Sequence, residues 1–355
     1  MGNIALHQRL NSPGARLGQY NGVETTLNFG DLFREFTALR TQCGIFDLSW
    51  RSKIIVAGKD RVRWLHNMVT NNVRDLALNR GNYNFVLNVQ GRILGDMYIY
   101  NRGESLLLDT DRPQVAALLA AMKRFIIMDK VEMTDSSDAF HAVGLCGPKT
   151  EEVLAAAGID VKGIDAQGVQ PLEVHEISAG SMIVRGPENK PGWYEVWAAG
   201  GAAQGIWDNL VHAGAQPVGT EALELWRVVH GIPHYGQDIR DRDLPQETEQ
   251  MQALNFNKGC YIGQEIVERI RSRGQVHRKF TGFEFEDSLP ALGKYESEGR
   301  TLAEITTAQR VSTAAGEKNL GLGYIRRESA AAGSNVDLGG IKAKLVDLPF
   351  ERSSV

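Results

Sequence analysis

The spacing of hydrophobic positions changes several times along the chain, and each change marks an element. Between residues 29 and 42, Leu32, Phe33, Phe36 and Leu39 recur at helical spacing behind Asp31, which predicts a capped helix. A short apolar run at 45–49 and a strand at 53–56, stopped by Gly58, come next. Val62, Leu65 and Met68 then line one side of a helix over 59–68. Residues 82–87, 93–100 and 105–109 read as a strand meander with Gly91 and Arg102-Gly103 in its turns. Pro113 opens a helix running to 125, in the first-turn position where proline is tolerated.

The second half mixes both periods. A strand at 139–146 ends at Gly147-Pro148, and a helix at 149–157 ends at Gly158. Residues 174–177, 181–185 and 193–198 read as strands, and 202–213 and 221–229 as helices. From Arg278 onward the chain turns β-rich, with strands expected at 282–286, 304–307, 321–325 and 341–346 between glycine-bearing loops. The irregular alternation predicts an α+β fold rather than a βαβ array. The late shift predicts two domains, 1–277 and 278–355, the second a small β-barrel.

Composition narrows the function classes. A chain of 355 residues can bury a large core without staples. Its formal net charge of −4 supplies no general field for nucleic acid, so no direct nucleic-acid partner is expected. No apolar run approaches the roughly 20 residues that span a bilayer. Residues 1–10 lack a basic segment leading into an apolar block, so a cytoplasmic chain without membrane contact is expected. The isolated cysteines Cys43, Cys146 and Cys260 suit neither a disulfide framework nor a four-cysteine zinc site, and no metal is expected. Phosphate-loop and dinucleotide fingerprints are absent, which argues against ATP and NAD.

The most specific chemistry lies in Lys258-Gly259-Cys260-Tyr261-Ile262-Gly263-Gln264-Glu265, ahead of a helix expected to run to about Ser272. Gly259 would allow tight backbone beside the thiol. A following helix start and the nearby Lys258 would favour thiolate. Cys260 is therefore a candidate reactive or ligating thiol; the alternative is a small buried hydrophobe at a loop–helix junction.

That block is similar to the signature of the YgfZ family, with all seven fixed positions present, and the likeness extends through Leu244-Pro245-Gln246-Glu247 upstream and Val267-Glu268-Arg269, Arg273-Gly274 and Arg278 downstream. The whole chain resembles the wider superfamily of the glycine-cleavage T-protein, an aminomethyltransferase. The resemblance rests on Gly44–Ser49, Gly91–Tyr100, Gly192–Val196, Leu225-Trp226-Arg227 and Gly231–Asp238. It implies three subdomains in a ring around a central folate cleft, followed by the C-terminal β-barrel, and tetrahydrofolate or a reduced derivative as the ligand.

The resemblance also implies roles. Glu195 would grip the pterin edge, where one carboxylate can accept a ring N–H and an exocyclic amine together. Arg227 would orient the same ring. Asp96 would act near the reacting nitrogens, and Tyr83 and Tyr100 would line the cleft. The bland alternatives are an outward strand carboxylate for Glu195, a helix-surface arginine for Arg227, a solvated aspartate for Asp96 and ordinary strand packing for the tyrosines. Two departures stand out: Gly95-Asp96 replaces the usual pair of acids, and Ser49-Trp50-Arg51 replaces Ser-His-Met, bringing bulk and charge.

Two functions follow from the resemblance. One is a folate-binding accessory protein for iron–sulfur cluster assembly or repair, with Cys260 as a transient cluster ligand and iron–sulfur proteins as partners. The other is a tetrahydrofolate-dependent aminomethyltransferase or related enzyme of one-carbon metabolism. A non-catalytic folate sensor is a third reading, and a monomer is expected.

Overall fold

The computed structural model describes residues 14–159, 161, 171–178, 180–199, 201–313 and 316–350. The N-terminal residues 1–10, read above for a signal, lie outside that set. The chain forms two compact units: Met1–Asn84 with Met97–Leu223, and Phe85–Asp96 with Glu224–Val355. Among the described residues no helix is long and apolar enough to cross a membrane.

In the first unit a hairpin pairs Arg16–Tyr20 with Val23–Asn28 through Asn21-Gly22, both at positive φ, the dipeptide that a tight hairpin turn favours. A five-stranded sheet runs in the order Gly81–Leu87, Ile93–Asn101, Leu106–Asp111, Arg51–Ala57, Glu132–Asp135. A six-stranded sheet orders Val174–Ser178, Ser181–Arg185, Tyr194–Ala199, Phe140–Cys146, Gly44–Asp47 and Gln216–Pro217. Ile45, Val143, Leu145, Ile183 and Val196 from its strands pack with Leu154 of helix Thr150–Ala156 and with Trp207 and Leu210 of helix Ala203–His212.

The expected first helix spans Leu32–Thr41, and Asp31 caps it by accepting from the Arg34 backbone N–H at 3.0 Å. Phe36 and Leu39 are buried, whereas Phe33, in the first turn, is 55% exposed. The helix expected from Pro113 to 125 starts as a 3-10 turn at Arg112–Gln114 and continues as Val115–Lys123.

The second unit contains the helix Gln264–Arg273 and a six-stranded antiparallel sheet, with two more strands than the four expected. Its order is Gly293–Ser297, Arg300–Thr313, Gly316–Arg326, Arg278–Phe285, Lys342–Val346, Asn335–Asp337. One face buries Phe283, Phe285, Ile305, Ile325 and Leu345. The other face is polar yet also buried around Glu304, Thr306 and Tyr324.

Candidate functional site

Two charged pairs on adjacent strands begin the site in the first unit. Arg51 and Lys53 lie two apart on one strand, Asp109 and Asp111 two apart on its neighbour, so each pair shares a face. The antiparallel register sets Arg51 opposite Asp111 and Lys53 opposite Asp109. Arg51 donates to Asp111 at 2.6 Å and to Asp109 at 2.5 Å, and Lys53 donates to Asp109 at 2.6 Å. Burial alone would push the Asp109 carboxyl up, but Arg51 and Lys53 outweigh it and hold the group below the ordinary carboxylate range. Burial likewise disfavours charge on Arg51, and Asp109 and Asp111 reverse the effect and keep it firmly protonated. The charge of Arg51 is thus neutralised locally. Trp50, the bulk beside it, is buried edge-on against Tyr20.

This ionic cluster adjoins an aromatic one. The Lys53 ammonium lies 4.3 Å from the centre of the Trp197 ring, a cation–π contact, and Tyr100 meets Trp197 edge-on at 5.2 Å. Trp193 and Trp197 stand two residues either side of Glu195. Their indole N–H groups donate to its two carboxylate oxygens, at 3.0 Å from Trp193 and 2.9 Å from Trp197. Glu195 is therefore no idle outward-facing acid but a half-buried carboxylate fixed from both sides. A carboxylate offers about four lone-pair sites, so two remain. Tyr83 packs on Tyr98 at 5.0 Å, and Lys190 lies 4.7 Å from the Trp193 ring and 5.9 Å from that of Tyr98. Burial pulls the Lys190 ammonium below its usual range, with Glu195 opposing that shift. Burial, then the charges of Asp109 and Glu195, drive the Tyr100 hydroxyl well above its usual range.

Tyr83, Tyr100 and Glu195 fall in the first unit, Asp96 and Arg227 in the second. Asp96 is half-buried on strand Ile93–Asn101. Burial, followed by the Asp96 charge, raises the hydroxyl of Tyr235. Arg227 is not the surface arginine of the bland alternative, being 8% exposed. Its Nε and one Nη donate to Glu224, and the other donors reach Asp238 at 2.6 Å, the Ile232 carbonyl at 2.8 Å and Thr307 at 3.3 Å. All five N–H bonds of the fork are thereby used. Asp238 also accepts from Thr306 and Thr307, at 2.5 and 2.7 Å, and from the His234 backbone N–H at 3.0 Å. Two consecutive threonines reach one acid because the strand carries a bulge between Ile305 and Thr307.

The cysteine block differs from expectation at two glycines. A Cβ on Gly259 would meet nothing within 4 Å, so no tight backbone surrounds that residue. The constraint falls on Gly263, which caps helix Gln264–Arg273 at φ +82° and would drive a Cβ to 2.6 Å from the Asn88 carbonyl. Tyr261 is buried and the Lys258 ammonium packs over its ring at 4.9 Å. Cys260 is exposed, which removes its reading as a buried hydrophobe, while Cys43 and Cys146 are buried. Burial pushes the Cys43 thiol up to about 11. Titration of the native chain with a thiol-reactive disulfide reagent should modify Cys260 alone, with Cys43 and Cys146 reacting only after unfolding. Rapid native modification of a second thiol would contradict this arrangement.

The sequence reading missed Lys53, Asp109, Asp111, Lys190, Trp193 and Trp197. The available signal was Arg-x-Lys on one apolar strand and Asp-x-Asp on another, two charge pairs of matching period.

Comparison with known proteins agrees with this architecture. The chain is 28% identical to an aminomethyltransferase of Rubrobacter xylanophilus over 98% of this chain and 93% of the relative. It is also 28% identical to the aminomethyltransferase of Bacillus subtilis, over 95% of each chain. The glycine cleavage system aminomethyltransferase T from Bartonella henselae superposes with a TM-score of 0.85 at 21% identity, covering 97% of this chain and 96% of that one, and shares its fold. Residues 6–258 match the GCVT N-terminal domain family, and the chain is a member of that family.

Proposed function

We propose that the protein binds a reduced folate and transfers a one-carbon unit between it and an amine donor, as an aminomethyltransferase of the T-protein type. The observation that carries this is Glu195, a carboxylate held by the indoles of Trp193 and Trp197, the second of which packs on Tyr100. Its unused lone pairs suit the paired N–H donors of a pterin edge, and the buried rings of Trp197 and Tyr100 pack together and keep it in place. The near-full-length likeness to aminomethyltransferases supports this reading over the iron–sulfur accessory role.

Asp96 has the part of stabilising positive charge, or moving a proton, at the reacting nitrogen. Tyr83 and Tyr100 support the ring's surroundings. Arg227, its edges engaged, contributes the flat face of a guanidinium and holds Asp238. The same reading arranges residues 1–277 as three subdomains in a ring around the folate cleft, with 278–355 as an appended β-barrel, and places the protein in the cytoplasm. The experiment is turnover of a methylamine-type donor with tetrahydrofolate. Wild type should turn over and Asp96→Asn should lose about 100-fold or more, the scale of acid–base assistance. An Asp96→Asn variant as active as wild type would end this assignment.

A second reading is favoured by one observation, the exposed Cys260 within an intact YgfZ-type block. Under it the protein supports iron–sulfur enzymes and the thiol ligates a cluster transiently, with a partner completing the ligand set. A deletion strain's iron–sulfur enzyme activity should then return with wild type and not with Cys260→Ser. Equal rescue by both would remove the role.

A further inference from the structure

The second unit holds a basic groove that the folate reading does not use. It occupies about 800 Å³ at the ends of four strands, with Lys294, Arg300, Arg326, Arg327 and Arg278 on its walls against Glu304 and Glu328. That volume lies within the range of small-molecule sites. A second recess of about 540 Å³, bearing Arg92 and Arg269, shares Gln275, Val276 and His277 with it, so the two are neighbours.

The acids of this surface are already engaged. Glu304 accepts from Arg240 at 2.9 Å, Arg242 at 2.5 Å and Arg278 at 3.0 Å. Glu247, on the second recess, accepts from Arg278 at 3.1 Å, and Glu328 from Arg326 at 3.2 Å. Arg326 is further fixed by donating to the Thr301 carbonyl at 2.9 Å. Among the described residues Lys294, Arg300 and Arg269 have no ion-pair partner, and all three are exposed. The groove therefore carries a local excess of positive charge on a chain of net charge −4. It has an aliphatic lining in Val276, Leu302, Ala303 and Ile325; of its two rings, Tyr324 is buried at 1% exposure and His277 is exposed. A single exposed ring, the His277 imidazole, gives no row of faces for successive bases, so the surface lacks the platform of a single-strand nucleic-acid site.

We propose that this double groove is a second ligand site, for a small polyanion with two or more phosphate or carboxylate groups spaced to meet Lys294 and Arg300 in one recess and Arg269 in the other. Guanidinium and ammonium groups without partners are the donors that such oxyanions recruit.

The test is calorimetric titration of the full chain at low salt with inorganic triphosphate and, separately, with a linear triglutamate. One probe should bind saturably at one per chain, weaken as salt rises, and lose roughly tenfold or more in affinity in Lys294→Glu/Arg300→Glu. The better probe identifies the oxyanion. Lys294→Gln/Arg300→Gln should give a smaller loss, and thermal melting should show both variants folded, since the two side chains are exposed. Tetrahydrofolate affinity, measured on the same variants, should not move, which separates this site from the folate assignment. Absence of saturable binding by both probes, or equal binding by the charge-reversed variant, would overturn the proposal.

Discussion

Asp109→Ala should destabilise the protein by about 3–5 kcal/mol, the usual result of removing one partner from a buried charge cluster. Asp109 is the acceptor shared by Arg51 and Lys53, and Lys53 is 2% exposed. Without the acid, Lys53 retains only the face of Trp197 among these contacts, and an ammonium cannot be left there cheaply. Urea unfolding reads the loss as a shifted midpoint at constant slope. Lys53→Met combined with Asp109→Leu should recover most of it, because the pair is removed together and the volume kept. A loss below about 1 kcal/mol in the single variant would mean that the cluster is not structural.

The pH dependence has a fixed sign. The folded-state carboxyl of Asp109 is held below the ordinary range. Its contribution is therefore complete above the unfolded-state value, near 4, and fades as pH falls through the lower folded-state value. Wild type should lose this part of its stability only in acid, and Asp109→Asn should flatten that limb of the stability curve.

The second large effect concerns binding. Glu195→Ala should weaken tetrahydrofolate by about 2–3 kcal/mol, roughly 30- to 150-fold in Kd, the value of a charge-assisted fork. Glu195→Gln should fare nearly as badly, since its NH2 would point a donor at an indole N–H or at the ligand's own N–H groups. Trp193 and Trp197 supply an independent readout, because both donate to the carboxylate the ligand would engage, and their fluorescence should change on binding. An alanine variant within about threefold of wild type would remove Glu195 from the site.

Most helices and apolar strands were legible in the sequence because their periodicity is strong, as at Ala203–His212 and Phe140–Cys146. Short polar strands were not. Glu132–Asp135 and Gly293–Ser297 have little apolar content and are defined by their ladders with a neighbour. The hairpin at Asn21-Gly22 was readable from its turn dipeptide and was overlooked. Glu195 and Tyr100 were marked by family likeness alone. The ionic cluster escaped because its partners stand 56 to 60 residues apart and meet through strand register, which a single strand's pattern does not encode. The bulge that aims Thr306 and Thr307 at Asp238 is likewise a property of the pairing.

The glycine cap of helix Gln264–Arg273 has a consequence for genetics. Gly263 leaves no room for a Cβ against Asn88, and Gly91 at the same hairpin would set one 2.8 Å from Ile266 of that helix. Each glycine is the clearance for the other segment. Inactivating alleles at 91 and 263 should therefore share one phenotype, a misplaced corner, and should be kept apart from alleles at 260 when the sulfur's contribution is scored.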